Sequence, residues 1–194
     1  MRISFNPNVP PLTMAKCEDS ESEEERSLGE WQPNGRFKYE MRHVDSAIQI
    51  ALNKQKHSLI FEPNGDVDLF FKVKAKLTEF HRTFIGIKIG QITKREGLDT
   101  MRAQLVQAMK AGERMCIMIG KIAPDFKEQF NDPLVFPTDT IFDFENFRKI
   151  ENYKKVVRED EDYDYQNNKG CFMMHEDYNL VLLSNAQNEE EKQQ

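Results

Sequence analysis

Cysteine is scarce in this sequence, and its few cysteines are poorly placed for chemistry. Cys17, Cys116 and Cys171 are widely separated, so they form neither a metal-ligand pattern nor an evident disulfide framework, and such a set is typical of a reducing compartment. Long apolar runs are also missing: none approaches the roughly 18–20 residues needed to cross a bilayer. The first eleven residues contain three prolines and lack the apolar core of a signal peptide. We therefore expect a soluble, cytoplasmic protein with no membrane partner.

The sequence also lacks an excess of positive charge. The 194 residues include 27 lysines and arginines against 33 aspartates and glutamates, which gives a net charge of −6. A general nucleic-acid binder needs a basic face to neutralise phosphates, so we predict no nucleic-acid partner. The four histidines lack the spacing of metal ligands, and we predict no metal and no cofactor.

The acidic residues are unevenly distributed, and their distribution predicts the organisation of the chain. The segment 18–30 holds seven acidic residues and one arginine, and the last eight residues are polar and acidic. Such segments bury too little apolar surface to offset the entropy lost on ordering. We predict an extended arm and acidic tail at 1–30, a folded domain at 31–186 and a polar tail at 187–194, with both termini disordered.

Apolar periodicity within 31–186 predicts alternating helices and strands. Apolar residues at steps of three and four indicate helices, and continuous apolar runs between turns indicate buried strands. In chain order, the prediction is a helix at 44–52, a strand at 57–61, a helix at 67–80, a strand at 84–89, a helix at 98–109 capped by Gly112, a strand at 115–119 and a strand at 178–184. This alternation predicts an α/β fold: a three-layer sandwich with a mostly parallel sheet.

The region between the last two strands is less regular. We expect a short helix at 123–130 and a helix capped by Asp143. Six phenylalanines in this region have two interpretations, an exposed docking patch or loops that pack back onto the domain. They are Phe126, Phe130, Phe136, Phe142, Phe144 and Phe147. Cys116 and Cys171 lie in apolar runs, so we expect buried, unreactive thiols.

The order of these elements resembles the core of the P-loop NTPases, and within them the AAA-type modules. The resemblance covers residues 43–186 and starts with the helix at 44–52, the strand after it and the turn at 62–66. The strand at 115–119 takes the position of a Walker B strand. The segment 175–185, His-Glu-Asp-Tyr-Asn-Leu-Val-Leu-Leu-Ser-Asn, resembles the sensor strand of dynein-type modules. The resemblance implies that Asn185 lies where a sensor residue approaches the γ-phosphate.

The residues at the phosphate-loop position are not those that bind nucleotide. A Walker A motif needs two glycines, a lysine for the β- and γ-phosphates and a Ser or Thr for Mg²⁺. The eight-residue motif can be counted from Glu62 or from Pro63, and in both registers the lysine and the hydroxyl are missing. Glu62, Asp66 and Asp68 instead place up to three negative charges in this segment. Two like charges about 5 Å apart repel by roughly 3 kcal/mol at an effective dielectric near 20, whereas a helix N-terminus offers about 0.3–1 kcal/mol per charge. The degenerate phosphate-loop positions are Pro63, Asn64, Gly65, Asp66 and Asp68, and a plain tight turn also accounts for them.

The Walker B position lacks its acid as well. The strand at 115–119 leads into Gly120-Lys121, with no Asp or Glu to hold Mg²⁺. We therefore predict that the protein is not an enzyme and has no catalytic residues. The remaining catalytic alternative is a site formed by three carboxylates, Asp139, Asp143 and Glu145. Asn185 is either a sensor-like residue or a strand-end cap.

These absences predict a non-catalytic structural or adaptor subunit of a larger intracellular assembly, in effect a pseudo-ATPase that binds protein partners. The likeness to dynein-type modules points to the ciliary axoneme as the place of that assembly, by analogy. The alternative is an atypical nucleotide-binding regulatory protein. The two differ in one observable, because a bound nucleotide must stabilise the native state.

Overall fold

The computed structural model describes residues 27–32 and 36–186, which divide into a unit that ends at Ile50 and a unit that begins at Ala51. In the first unit, strand β1 (Gly29–Trp31) pairs antiparallel with β2 (Phe37–Tyr39). A 3₁₀ turn at Met41–His43 leads into helix α1 (Val44–Asn53), within which the unit boundary falls. Most of the predicted arm and acidic tail at 1–30, and the tail at 187–194, lie outside the described residues.

The second unit is built on a parallel sheet of four strands. They are β3 (Ser58–Phe61), β4 (Lys76–Thr78), β5 (Arg114–Gly120) and β6 (Asn179–Ser184). Their spatial order is β3-β6-β5-β4, so the last strand lies between the first and the third. Each pairing is parallel, with Ile60 opposite Leu183 and Cys116 opposite Val181. The predicted α/β class with a parallel sheet is confirmed.

Helices connect these strands. Helix α2 (Asp68–Lys74) joins β3 to β4, and α3 (Phe80–Lys88) and α4 (Lys94–Ala111) lie between β4 and β5. Three short helices precede β6: α5 (Thr138–Ile141), α6 (Phe144–Phe147) and α7 (Ile150–Tyr153), with a 3₁₀ turn at Lys154–Val156. The helices predicted at 44–52 and 98–109 are confirmed as α1 and α4.

Three predicted elements are wrong. The helix predicted at 67–80 ends at Lys74, and part of its second half is strand β4. The strand predicted at 84–89 is helix α3, whose Phe80, Phe84 and Ile87 lie against the core. The residues from Phe84 to Ile89 alternate as in a strand, but the apolar steps of four and three from Phe80 also fit a helix. The helix predicted at 123–130 is a series of turns.

The core covers both faces of the central strands. Met115, Ile117 and Leu180 belong to the main buried cluster, together with one face of α4. Cys116 and Val181, which alternate with them along β5 and β6, are fully buried outside that cluster. Because side chains alternate between the two faces of a sheet, both faces are shielded from water.

The phenylalanines before β6 pack inward. Phe130, Phe136 and Phe147 are at most 4% exposed, and Phe126 and Phe142 pack against the main cluster. This decides between the two interpretations: the loops fold back onto the domain, and these six phenylalanines form no exposed patch. The thiol of Cys116 is buried as expected, but the prediction for Cys171 is wrong, since that residue is exposed.

Local sequence signals fix both ends of α4. Thr93 and Glu96 form a capping box, in which the Glu96 N–H donates to Thr93 Oγ1 at 3.2 Å and the Thr93 N–H donates to Glu96 Oε2 at 2.7 Å. Gly112 ends the helix at φ +69°, a left-handed conformation that favours glycine. A Cβ at Gly112 would lie 2.6 Å from His175 Nδ1, so this helix end also requires glycine for space.

Candidate functional site

The candidate site lies along the edge of the sheet at which the strands end, called here the carboxyl edge. In open α/β sheets, ligands bind outside the carboxyl ends of the strands. The turn after β3, residues 62–67, lies at this edge and leads directly into α2. The structure places Pro63, Asn64, Gly65 and Asp66 in this turn and Asp68 at the first position of α2.

Hydrogen bonds within the protein close this turn. The Asn64 N–H donates to Glu62 Oε1 at 2.8 Å, and the Asp68 N–H donates to the Gly65 carbonyl at 3.2 Å. Gly65 has φ +82°, which glycine adopts without strain. A phosphate loop would direct its N–H groups toward a ligand. Here a carboxylate of the protein accepts the Asn64 N–H.

Asn185 lies beside the turn. It follows β6 directly, and its Nδ2 donates to the Glu62 carbonyl at 2.9 Å and lies 3.5 Å from Asp68 Oδ1. Its backbone N–H donates to the Gly120 carbonyl at 2.8 Å. The insertion of β6 between β3 and β5 explains this position, because it places the ends of all three strands together. Asn185 and the turn at 62–66 are thus neighbours, and the Asn185 amide is bonded to the protein itself.

Negative charge dominates the turn. Glu62, Asp66 and Asp68 all fall within seven consecutive residues. Asp68 influences the core beneath it: burial raises the pKa of the Cys116 thiol, the Arg114 charge opposes this, and the Asp68 carboxylate adds to the rise. Glu62 Oε2 is buried without a hydrogen-bond partner. A polyanion placed here would meet these carboxylates at short range, where like charges repel.

The strand β5 ends at Gly120, which Lys121 follows, and has no carboxylate at this point. Gly120 has φ +64°, and a Cβ there would lie 3.3 Å from the His81 side chain. His81 Nδ1 lies 3.4 Å from the Met118 carbonyl. A histidine at the start of α3 therefore packs where the resemblance places a Walker B acid. The sequence did not single out His81, because none of the four histidines has the spacing of metal ligands.

Two of the three carboxylates of the catalytic alternative form hydrogen bonds within the protein, and the third is exposed. Asp143 Oδ1 accepts the Asn146 N–H at 3.0 Å and caps α6, as predicted. Asp139 Oδ1 accepts a bond from Asn131 Nδ2 at 2.5 Å, and Glu145 is exposed. Among residues 27–32 and 36–186, no three His, Cys, Asp or Glu side chains are grouped so that they could hold a metal ion. No helix in the same ranges is long and apolar enough to cross a membrane.

A second group of buried polar atoms lies where β3 and β6 begin. The centroids of the His57 and Phe144 rings lie 5.0 Å apart. The Arg148 guanidinium carbon also contacts Phe144, at 4.4 Å from the ring centroid. Both ring nitrogens of His57, Arg148 Nε and the Tyr178 hydroxyl are buried without hydrogen-bond partners. Arg148 Nη2 donates to the carbonyls of Glu176, at 3.1 Å, and Tyr178.

This environment keeps His57 neutral. Burial lowers the pKa of His57 to about 4, and the positive charge of Arg148 contributes to this lowering. The main chain of Ile141 opposes this shift, although it lies too far from ideal geometry to form a hydrogen bond with the ring. The folded pKa is therefore below the unfolded value of 6.5. The stability that depends on neutral His57 is fully present above pH 6.5 and is lost as the pH falls toward about 4.

Comparisons with protein-family models, curated proteins and solved structures gave no match. The function proposed for this chain therefore depends on the geometry of its own residues. The most specific part of that geometry is the acidic turn at the carboxyl edge and its contact with Asn185.

Proposed function

We propose that this chain is a non-catalytic structural or adaptor subunit of a multi-subunit intracellular assembly. It would be built on a P-loop-like, three-layer sandwich whose phosphate position no longer accepts a nucleotide. The observation that carries the proposal is the closed acidic turn: Glu62 accepts an N–H of the turn, and Asn185 donates to the Glu62 carbonyl. The Asn64 N–H and the Asn185 amide, two groups that could donate to a phosphate, thus donate to Glu62 instead.

Exposed apolar side chains support a role in protein contact. Leu69 and Val73, four residues apart on α2, are 70% and 74% exposed, and Ile85 and Ile89 form a similar pair at α3. Residues four apart share a helix face. Large apolar side chains held in water at such spacing fit helices that are covered in a complex. The ciliary axoneme is the assembly that we propose, and its support is the likeness of the segment 175–185 to dynein-type sensor strands.

The alternative, an atypical nucleotide-binding regulatory protein, has one observation in its favour. Asn185 donates to the turn after β3, and the resemblance would make this residue a sensor. The two proposals separate in a thermal unfolding experiment with millimolar MgATP or MgGTP. The adaptor proposal predicts no change in melting temperature, whereas a rise of several degrees would favour the nucleotide-binding alternative, since a ligand of the native state raises its stability.

A charge-neutral variant is the matched control for that experiment. Glu62→Gln, Asp66→Asn and Asp68→Asn together remove the negative charge of the turn and change the side-chain volumes little. If the carboxylates are what excludes nucleotide, the variant and not the parent gains a small MgATP-dependent rise. Localisation of the tagged chain in ciliated cells tests the axoneme separately, and a signal that detergent extraction removes from the axoneme would contradict it.

A further inference from the structure

A cavity of about 360 Å³ lies at the opposite edge of the sheet from the acidic turn. Its wall includes Lys110 at the end of α4, Tyr163 and Tyr165 from the loop before β6, and Met173. Tyr165 and Met173 are each 69% exposed, so large apolar surfaces face water at its mouth. This volume lies at the lower end of the range of about 300–1,000 Å³ that ligand pockets occupy.

The wall of the cavity is held in place by its own loop. Asp164 Oδ1 accepts hydrogen bonds at 2.8 Å from the backbone N–H groups of Gln166 and Asn168. These bonds hold residues 164–168 in a tight loop. The Tyr165 hydroxyl then donates to the Lys110 carbonyl and ties the loop to α4. The cavity is therefore formed before any partner binds, which lowers the entropic cost of binding.

The surroundings of the cavity are acidic. The segment 159–177 contains seven aspartates and glutamates and one lysine. Three of these carboxylates are ion-paired within the protein: Glu159 with Lys169, Glu161 with Arg102 and Asp162 with Lys154. Asp164 and Glu176 lie in the cavity wall. Lys110 is the opposing charge there, and hydrogen bonds from Asn168 together with the Lys110 charge lower the pKa of Asp164. The two carboxylates and one ammonium group leave a net negative charge in the wall.

We propose that this cavity binds a basic side chain, a lysine or an arginine, of a protein partner. The faces of the tyrosine rings attract a cation within about 6 Å. The thioether of Met173 offers an adaptable apolar contact for the methylene stem. Glu176 and Asp164 supply charge complementarity. The proposal deepens the adaptor function and rests on it, since it names the chemistry of one partner contact.

A methyl NMR titration of the full chain, labelled at the methionine methyl groups, tests this proposal. The probes are three pentapeptides: Gly-Lys-Ala-Lys-Gly, the same peptide with norleucine for lysine, and the same with glutamate for lysine. The lysine peptide should shift the Met173 methyl signal in a saturable way, and the other two should not. Equal shifts with the norleucine peptide would show an apolar cleft without charge selection and would overturn the proposal, as would no shift with any peptide.

Variants of opposite expected effect make the test sharper. Glu176→Gln and Tyr165→Leu should each weaken binding of the lysine peptide about threefold to fivefold, and Lys110→Gln should strengthen it about twofold, because it removes the opposing charge. Glu128→Gln is the matched control, since it makes the same change of charge at an exposed position outside the wall. Equal weakening by Glu128→Gln would reduce the effect to general electrostatics and contradict the site.

The outcome is separable from that of the adaptor function. If MgATP stabilises the chain while the lysine peptide binds with these variant effects, the adaptor function fails and the cavity stands. If MgATP has no effect and the lysine peptide does not bind, the cavity fails and the adaptor function stands.

Discussion

Replacing Arg102 should be among the most destabilising single changes in the chain. This side chain projects from α4 and is only 4% exposed. Its Nη1 and Nη2 donate to the two carboxylate oxygens of Glu161, at 2.5 and 3.0 Å, and Nη1 also donates to the Val156 carbonyl at 2.9 Å. Its Nε donates to Asp99 Oδ1 at 2.9 Å. One guanidinium thus fastens the long helix to the loop that precedes β6.

The magnitude follows from the burial of the partners. Removing one member of a buried ion pair costs about 3–5 kcal/mol. Glu161 and Asp99 are 26% and 33% exposed, so water compensates part of the loss. We expect Arg102→Ala to lower the free energy of unfolding by about 3 kcal/mol, or the melting temperature by about 6–12 °C for a chain of this size. Arg102→Lys keeps the charge but loses the two-pronged geometry, and we expect about half that loss.

The assay is urea unfolding followed by circular dichroism, with midpoint and slope both measured. Arg82→Ala is the control, because Arg82 pairs with Glu79 at 3.1 Å but is 72% exposed. A surface pair of this kind contributes little, and we expect a change within about 0.5 kcal/mol. If Arg102→Ala cost no more than Arg82→Ala at an unchanged slope, the account of this cluster would be refuted.

The same cluster predicts a dependence on pH. Burial alone would raise the pKa of Glu161, but its bonds to Arg102 and to the Arg158 N–H lower it overall, and the pKa of Asp99 is lowered in the same way. A lowered carboxyl pKa contributes stability above the unfolded values, here 4.5 and 3.8, and this stability is lost as the pH falls below them. The difference between the parent and Arg102→Ala should therefore shrink between about pH 5 and pH 3.

Three further predictions concern single residues. As the pH falls from 6.5 to about 4, the parent should lose stability that His57→Phe retains, because burial lowers the pKa of His57 to about 4. If the urea midpoints of the two proteins fell by the same amount over this range, the prediction would be contradicted. Gly112→Ala should destabilise the chain more than Gly90→Ala, because both have positive φ but only Gly112 lacks room for a Cβ; equal losses would show that crowding is unimportant. Under native conditions, mass spectrometry should find Cys171 alkylated and Cys116 intact, and rapid labelling of Cys116 would show that β5 opens.

The parallel sheet was predictable because β5 and β6 are central strands. Buried on both faces, they need continuous apolar sequence, and Met115–Ile119 and the run before Ser184 supply it. The edge strand β4 has three residues, too few for a pattern, and Leu77 within it fitted the helical spacing of its neighbours. The helix at Phe80–Lys88 was predicted as a strand because its apolar residues fit both a helical and an alternating pattern. Contact of Phe84 with the core selects the helix, and the sequence alone does not show that contact.

The candidate site was predictable only where the chain is contiguous. The turn at 62–66 and its acids follow from neighbouring residues, and the resemblance placed Asn185 in its vicinity. Contacts between distant residues carry no local signal: Arg102 and Glu161 are 59 residues apart, and nothing near either one marks the pair. The exposure of Cys171 was missed for the same reason, since a short apolar run does not reveal which of its side chains the core accepts.

We propose that the acidic turn at the carboxyl edge does not bind nucleotide. An NMR titration of the isotope-labelled chain with millimolar MgATP tests it at the residues concerned. The account predicts that the Gly65 amide and the Asn185 side-chain amide signals stay in place throughout the titration. Saturable shifts of both signals would contradict it and identify the turn as a working nucleotide site.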